Sequence, residues 1–289
     1  MAPKLASFGE LSDVAEACEP SSDGKKPKFL MPPSFTYFDP DDNAYFGMIH
    51  KPKLEIPLDE MASALELIPD EHIYPFQDDA ITAISDVPLA TAPDALNFGS
   101  AADLQGIYIK RPAIKDYDWY KEEDCLSMLP STLLEEAVAL HHISQLEHPN
   151  IVKFHGCRTR RGRITGLVLD RFANDLERHL REGKRVDKER ILAGLVSAVH
   201  HLHSLGWAHN DIKPDNIMVN ERDAESVLVD FGSSHRIGAK LTSSRGTAGW
   251  MEEGDDYMTS KESHDICALE KVRLWLDNPT LKSSRRPSG

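Results

Sequence analysis

The chain has 289 residues, of which 40% are hydrophobic and 28% are charged, and its formal net charge is −14 at pH 7. This length and balance predict a globular protein with enough core for one large domain or for two lobes that share a cleft. So acidic a chain repels nucleic-acid and anionic lipid phosphates, which argues against nucleic acid or a membrane surface as its main partner.

The sequence also predicts the cellular compartment of the protein. No run is long and apolar enough to span a bilayer, and residues 1–10 lack the apolar core of a signal sequence. The four cysteines lack C-x-x-C spacing, which argues against a disulfide framework and against a zinc knuckle. We therefore expect free thiols in a reducing compartment, the cytoplasm, with the nucleus as a second location.

The first third of the chain shows weak periodicity. Residues 1–30 are polar and are expected to lack fixed structure. Residues 31–105 are expected to form an N-terminal extension that leads into the first lobe, with 31–49 packing as a strand or a clamp on the main body. One short helix is predicted over 58–67.

From Gly106 onward the signals are clearer. Residues 106–110 alternate as a strand does, and Thr132 and Glu135 have the spacing of a capping box that opens a helix. Further strands are predicted over 151–154, 166–169, 217–219 and 227–229, and further helices over 187–205 and 263–276. This order is typical of an α+β fold in two unequal lobes, which we place at 106–169 and 170–277, followed by a polar tail over 278–289.

Two short segments carry side chains suited to phosphoryl transfer: 209–216, with the sequence HNDIKPDN, and 229–232, with the sequence VDFG. This reaction needs a carboxylate to orient the attacking hydroxyl, oxygen ligands for Mg²⁺ and cations that spread the developing charge. Asp211, Asn216 and Asp230 supply the oxygen donors, and Lys213 supplies a cation.

These segments resemble the catalytic loop (H-R-D-x-K-x-x-N) and the D-F-G motif of eukaryotic protein kinases of the serine/threonine type. The resemblance covers about residues 108–276 and is strongest to short kinase-like proteins, found mainly in filamentous fungi, that share an A-H-N-D motif. It implies a two-lobed fold that binds ATP and Mg²⁺. It also implies that Asp211 is the catalytic base, Lys213 a phosphate contact, and Asn216 and Asp230 the Mg²⁺ ligands.

The resemblance extends upstream of these segments. Residues 108–110 resemble the strand that carries the ATP-binding lysine, here Lys110. Its carboxylate partner on the following helix would be Glu136, with Glu135 as the alternative. The preference for Glu136 rests on the register before residues 148–152, which resemble the kinase sequence H-P-N-I-V. By this resemblance ATP would lie between Lys110 and Asp230.

Further positions follow from the same resemblance. Leu169 falls at the gatekeeper position, and the backbone of Asp170 and Phe172 would meet the adenine. Residues 245–251 resemble the end of an activation segment, and Asp265 resembles the helix aspartate that braces the catalytic loop.

Three features depart from the family pattern. No G-x-G-x-x-G precedes Lys110. Asn210 replaces the arginine that pairs with a phosphorylated activation loop in many kinases, so we expect an activation segment that is ready without phosphorylation. The sequence EEG stands at 252–254 in place of A-P-E, and the chain ends soon after the helix of Asp265, which predicts a shortened C-terminal helical lobe.

Structural roles explain the histidines more simply than catalysis or metal binding does. His200, His201 and His203 are crowded on one predicted helix, yet zinc needs three or four converging ligands and no second Cys/His cluster is evident. We therefore expect a surface or interface role for them, and a packed structural role for His209.

The sequence thus predicts an ATP- and Mg²⁺-dependent kinase that transfers the γ-phosphate to a hydroxyl, with protein serine or threonine as the leading acceptor. The expected partner is a protein substrate or a regulatory protein, and the oligomeric state is left open. Two alternatives stay open. One is a pseudokinase scaffold that binds nucleotide or a partner without turnover, and the other is a small-molecule phosphotransferase.

Overall fold

The computed structural model describes residues 3–19, 28–77, 106–220, 225–242, 245–252, 254 and 257–281. The helices are α1 (Leu58–Ala64), α2 (Asp70–Ile73), α3 (Tyr117–Glu122), α4 (Met128–Ile143), α5 (Leu176–Arg181), α6 (Lys188–Ser204) and α7 (Glu262–Asp277). The strands are β1 (Asp13–Glu19), β2 (Lys28–Phe38), β3 (Ala44–Met48), β4 (Glu66–Leu67), β5 (Ile107–Lys110), β6 (Phe154–Arg160), β7 (Arg163–Asp170), β8 (Asn174–Asp175), β9 (Trp207–Ala208), β10 (Ile217–Val219), β11 (Ser226–Leu228) and β12 (His235–Arg236). The segment 97–105, where the sequence lacks a glycine-rich loop, and the tail over 282–289 lie outside the described residues.

The described strands form four sheets, with the orders β1-β2-β3-β4, β5-β7-β6, β11-β10-β8 and β12-β9. Helices and antiparallel sheets are mixed along the chain, which confirms the α+β prediction. The chain divides into two compact units, the first drawn from Met1–Gln105, Ile109–Leu134 and Cys157–Leu167, and the second from the remainder. This division cuts within α4, β5, β6 and β7, and the lobe bounds predicted at 106–169 and 170–277 stay a prediction. Among the described residues, every helix is too short or too polar to cross a bilayer.

The amino-terminal sheet belongs to the first unit. Residues 1–30 were expected to lack fixed structure, and this is wrong for Asp13–Glu19, which form β1 antiparallel to β2. Pairing with β2 satisfies backbone groups without an apolar side-chain pattern, so the polar composition concealed the strand. For residues 31–49, the strand alternative holds, since β2 and β3 pair in an antiparallel register.

The helix predicted over 58–67 is only partly present. Helix α1 ends at Ala64, and Glu66–Leu67 pair with β3 as a strand instead. Met61 and Leu65 are nevertheless buried in one cluster of apolar side chains, with Leu11, Phe35 and Ile56. The element therefore changes from helix to strand within the predicted range, while Met61 and Leu65 pack into the same core.

A buried carboxylate lies just before β3 in the first unit. Asp42 is fully buried, and its carboxylate pairs with Arg111 Nη1 at 2.5 Å and with Arg158 Nε at 2.5 Å. The Thr165 hydroxyl donates to Asp42 Oδ2 at 2.9 Å, and the Tyr74 hydroxyl donates to Asp42 O at 2.9 Å. One acidic side chain thus fixes the turn before β3 to β6 and β7.

Helix α6 is the central helix of the second unit and confirms the helix predicted over 187–205. Its N-cap, Asp187, accepts a hydrogen bond from Arg190 N at 3.0 Å. Its buried face carries an apolar stripe at helical spacing: Ile191, Leu195, Ala198, Val199 and Leu202. Gly206 follows with a φ of +78°, a conformation that favours glycine and ends the helix.

Two predicted boundaries in this part of the chain are wrong. Helix α4 begins at Met128, and Thr132 lies inside it with its hydroxyl donating to Met128 O at 2.8 Å. Threonine can bond backward to a carbonyl within a helix, so the T-x-x-E spacing did not mark its start. Residues 151–154 do not form a strand of their own. Instead Ile151 bridges Leu228 in parallel, and β6 begins only at Phe154.

Close packing of α6 on β11 gives a stability prediction. A Cβ on Gly194 would lie 2.6 Å from Ser226 Oγ and 2.7 Å from Asn150 Nδ2. Neither atom can move freely, because Ser226 Oγ donates to Ile191 O and Asn150 Nδ2 donates to Ser226 O. Gly194→Val should therefore lower the free energy of unfolding by about 1–3 kcal/mol through overpacking, measured by urea unfolding.

The matched control is Ala193→Val, which places the same side chain on the exposed neighbour in the same helix. It should cost only the difference in helix propensity, roughly 0.5 kcal/mol. Equal losses in the two variants would show that Gly194 is not required for close packing.

Candidate active site

The loop that carries Asp211 is fixed by one buried carboxylate from α7. Asp265 is fully buried, and it accepts hydrogen bonds from His209 N at 2.8 Å and from Asn210 N at 2.8 Å. His203 Nε2 lies 2.9 Å from the same carboxylate, at Oδ2. The predicted role of Asp265 in bracing this loop is confirmed by these contacts.

His209 links the same loop to the residue before Asp230. Its ring is fully buried, with Nε2 at 3.0 Å from Val229 O, and its Nδ1 accepts from Asp211 N at 3.3 Å. A carbonyl can only accept and a backbone N–H can only donate, so His209 carries its hydrogen on Nε2. Both ring nitrogens are used within the fold, which confirms the packed structural role predicted for His209.

The Asp211 carboxylate is held from three sides. Lys213 Nζ donates to Asp211 Oδ2 at 2.6 Å, and the Thr247 hydroxyl donates to Asp211 Oδ1 at 2.6 Å. Asn216 Nδ2 lies 3.2 Å from Asp211 Oδ2 and donates to Asp211 O at 2.9 Å. Lys213 Nζ also donates to the Thr247 hydroxyl at 2.7 Å, so the cation, the carboxylate and the hydroxyl form one network.

Asn216 and Asp230, the predicted Mg²⁺ ligands, are joined through the backbone. Val229 N donates to Asn216 O at 3.0 Å, which holds the residue before Asp230 against Asn216. The Asn216 amide nitrogen is used by Asp211, so its hard oxygen, Oδ1, is the atom left for a cation. With the Asp230 carboxylate this gives the oxygen donor set that Mg²⁺ prefers, and the residues fit the ion.

Asp230 has a backbone conformation that few residues adopt. Its φ is +63° and its ψ is +76°, in the left-handed region where aspartate and asparagine are tolerated best among non-glycine residues. Its Oδ1 accepts a long hydrogen bond of 3.4 Å from Gly232 N. The turn therefore sets the direction of the Asp230 side chain, two residues after the end of β11.

The structure distinguishes the two candidate glutamates on α4. Glu136 is buried, and its Oε1 accepts from Phe231 N at 3.1 Å. Glu135 instead accepts from the Thr242 hydroxyl at 2.8 Å. Of the two, Glu136 is the one that contacts the D-F-G segment.

Lys110 is the last residue of β5 and is half-buried in the first unit, whereas Glu136 belongs to the second unit. The ion pair between Lys110 and Glu136 stays a prediction.

The predicted adenine-contacting residues lie at the end of β7 and just beyond it. Leu169 is buried, and Phe172 is half-buried. Asp170 N donates to Lys153 O at 3.1 Å, and the Asp170 carboxylate pairs with His155 Nε2 at 2.7 Å. The Asp170 N–H is therefore already used within the fold, and the contact of Asp170 and Phe172 with an adenine stays a prediction.

Asn210 occupies the position of the family's arginine and serves as a neutral cross-link. Its Nδ2 donates to Ala208 O at 3.1 Å, to Ser233 O at 3.0 Å and to Ser260 Oγ at 3.0 Å. Its Oδ1 lies 3.0 Å from His264 Nδ1, and the His264 ring stacks on Tyr257 with centroids 3.7 Å apart. The amide thus joins the catalytic loop, the residues after D-F-G and α7 without any charge.

The contacts of His203 differ from the predicted role, and the contacts of Lys271 were not predicted. A surface or interface role was expected for His203, but its side chain is only 10% exposed and faces Asp265. His201 Nε2 lies 2.9 Å from Leu146 O, so His201 and His203 have different partners. Lys271 on α7 contacts the segment after Thr247, and no sequence signal indicated it.

Comparison with known proteins agrees with this geometry. The family model described as the protein kinase domain matches residues 108–253, just over half of the chain. The chain is 27% identical over 172 residues to the serine/threonine-protein kinase/endoribonuclease IRE1 of Hypocrea jecorina, covering 53% of this chain and 13% of that protein. It is 30% identical over 118 residues to mitogen-activated protein kinase kinase kinase 13 of Mus musculus, covering 39% of this chain and 12% of that protein.

A third relative is a probable LIM domain-containing serine/threonine-protein kinase of Dictyostelium discoideum, 28% identical over 199 residues that cover 63% of this chain and 28% of that protein. The chain thus spans only about an eighth of the length of the first two relatives. The family match includes the network around Asp211 and the D-F-G segment, both built as described above. The chain belongs to the protein kinase domain family.

Proposed function

We propose that the chain is an ATP- and Mg²⁺-dependent kinase that transfers the γ-phosphate of ATP to a serine or threonine hydroxyl of a protein. The observation that supports it most is the Asp211 network, in which Lys213 and Thr247 each lie 2.6 Å from the carboxylate. A carboxylate fixed in this way can orient an acceptor hydroxyl, and an ammonium beside it can offset phosphate charge.

The proposed reaction assigns a task to each side chain. The acceptor oxygen forms a bond to the γ-phosphorus while the bond from that phosphorus to the ADP oxygen breaks, and the acceptor proton passes to the Asp211 carboxylate. A carboxylate offers about four lone-pair positions, so Asp211 can accept this hydroxyl in addition to its present partners. Mg²⁺, held by Asn216 and Asp230, would neutralise charge on the phosphates.

Regulation and partners complete the proposal. The amide of Asn210 is engaged by neutral groups, which supports an activation segment that needs no phosphorylation to adopt this arrangement. A protein partner and a cytoplasmic location stay predictions, as do ATP contacts of Lys110, Asp170 and Phe172.

The test compares nucleotide binding with turnover in the wild type and in Asp230→Asn. Asparagine tolerates the +63° φ at this position, so the variant removes the charge and keeps the backbone. The wild type should melt at a higher temperature with Mg²⁺-ATP, with about 2.7 kcal/mol of added stability at 100 times the dissociation constant, and the variant should lose this shift.

The control is Asp187→Asn, because asparagine caps a helix as well as aspartate does. This variant should keep both the Mg²⁺-dependent shift and the transfer of labelled phosphate to a serine/threonine peptide library. A wild-type shift without turnover would support the nucleotide-binding scaffold. Turnover on small hydroxyl compounds alone would support the small-molecule phosphotransferase.

A further inference from the structure

Helix α7 presents two side chains to the segment 247–251. Lys271 Nζ donates to Gly249 O at 3.2 Å and donates also to Met251 O. One turn further along, the Trp275 ring lies edge-on to the Trp250 ring, with centroids 6.4 Å apart. Residues four apart share one face of a helix, so Lys271 and Trp275 hold the segment together.

The same segment carries Thr247, whose hydroxyl lies between Asp211 and Lys213. Trp250 N donates to Thr247 O at 2.9 Å, which closes a tight turn over residues 247–250. Lys271 binds one carbonyl within this turn and one just after it. A shift of either carbonyl would therefore move Thr247 relative to the Asp211 carboxylate.

Burial does little to hold this turn. Ala248 and Gly249 are exposed, and a Cβ on Gly249 would meet no atom within 4 Å. Gly249 also has a φ of +89°, and a glycine in this conformation can move to many others of similar energy. The turn thus depends on its hydrogen bonds, and those from a charged donor are the strongest kind available.

We propose that Lys271 is a positioning residue for phosphoryl transfer, which fixes the turn over 247–250 so that Thr247 stays bonded to Asp211 and Lys213. This inference rests on the proposed kinase function and assigns to α7 a second task beyond the contacts of Asp265. Lysine suits the task because its ammonium group has three donors and can serve two carbonyls at once.

The test uses Lys271→Met, which keeps the length of the side chain and removes its donors. We expect amide hydrogen exchange over residues 246–252 to accelerate about tenfold, equivalent to ~1.4 kcal/mol, with α6 unchanged. In turnover assays with a serine/threonine peptide library, kcat should fall about tenfold while the KM for ATP stays the same. Lys271→Arg, which keeps charge and donors, should restore most of the protection.

The matched control is Lys188→Met. Lys188 Nζ bonds Asp277, the last residue of α7, six positions beyond Lys271. This variant should leave exchange over 246–252 and kcat at the wild-type values. Unchanged exchange in Lys271→Met, or an equal rise in Lys188→Met, would overturn the inference.

Two further outcomes separate this inference from the proposed function. A wild type without turnover would remove the kinase proposal, and the exchange measurement would still decide whether Lys271 holds the turn. If Lys271→Met does not fold, amide exchange in the wild type alone tests the inference. Its Trp250 amide must be protected, and exchange as fast as in an unstructured peptide would overturn the inference.

Discussion

Replacing Asp211 by asparagine is expected to reduce the turnover number by about 10²–10⁴-fold while nucleotide binding is retained. The variant keeps the size of the side chain but cannot take the acceptor proton. Its amide nitrogen would also face Lys213 Nζ or the Thr247 hydroxyl, both of which now donate to the carboxylate. Transfer of labelled phosphate to a serine/threonine peptide library measures the turnover, and the Mg²⁺-ATP melting shift measures the binding.

Two comparisons make this result specific to Asp211. Asp187→Asn makes the same chemical change at a helix cap of the same unit and should turn over at the wild-type rate. Loss of the melting shift in Asp211→Asn would mean that the carboxylate is required for binding and not only for transfer. Wild-type turnover in Asp211→Asn would exclude Asp211 as the base.

The residues around Asp211 could be predicted from the sequence because the functional pieces lie close together in it. Asp211, Lys213 and Asn216 fall within one loop, and the structure joins them by direct hydrogen bonds. The long helix α6 was also predictable, because an N-cap and an apolar stripe at helical spacing are local signals. Local chemistry and local periodicity thus identify the loop and its supporting helix.

Contacts between distant residues could not be predicted in this way. Lys271 meets Gly249 across 22 positions of the chain, and Asp42 meets Arg158 across 116 positions. In the sequence, a lysine or aspartate exposed on the surface cannot be distinguished from one that bonds a distant partner. Only the folded backbone determines which charges are brought together. The ordered structure within the first hundred residues was underestimated for this reason.

The buried carboxylate of the first unit gives the largest expected effect on stability. Asp42→Asn should lower the free energy of unfolding by about 3–5 kcal/mol, because the guanidinium groups of Arg111 and Arg158 lose the charge that compensates them. Asparagine tolerates the +62° φ at position 42 and keeps the backbone carbonyl to which Tyr74 donates. The loss would therefore report the side-chain carboxylate, both its charge and the oxygen that faces Arg111 or Arg158 and Thr165, and not the backbone.

The same carboxylate predicts a dependence on pH. Burial by itself raises the pKa of Asp42, but Arg111 and Arg158 outweigh burial and hold the pKa below its usual range. The stabilisation is therefore complete above the usual carboxyl pKa of about 3.9 and is lost as the pH falls through the lower value of the folded state. Wild-type stability should decline in acid, and the decline should be shallower in Asp42→Asn.

Urea unfolding of the full chain between neutral pH and pH 3 measures both effects, and amide exchange over Ala44–Met48 assigns them to the first unit. The control is Asp41→Asn, an exposed neighbour that should change stability by no more than about 0.5 kcal/mol. Parallel acid profiles for the wild type and Asp42→Asn would mean that Asp42 does not hold a charge that matters to folding. A shallower profile in Asp42→Asn alone would show that one acidic residue, supplied by the amino-terminal segment, stabilises β6 and β7 through its charge.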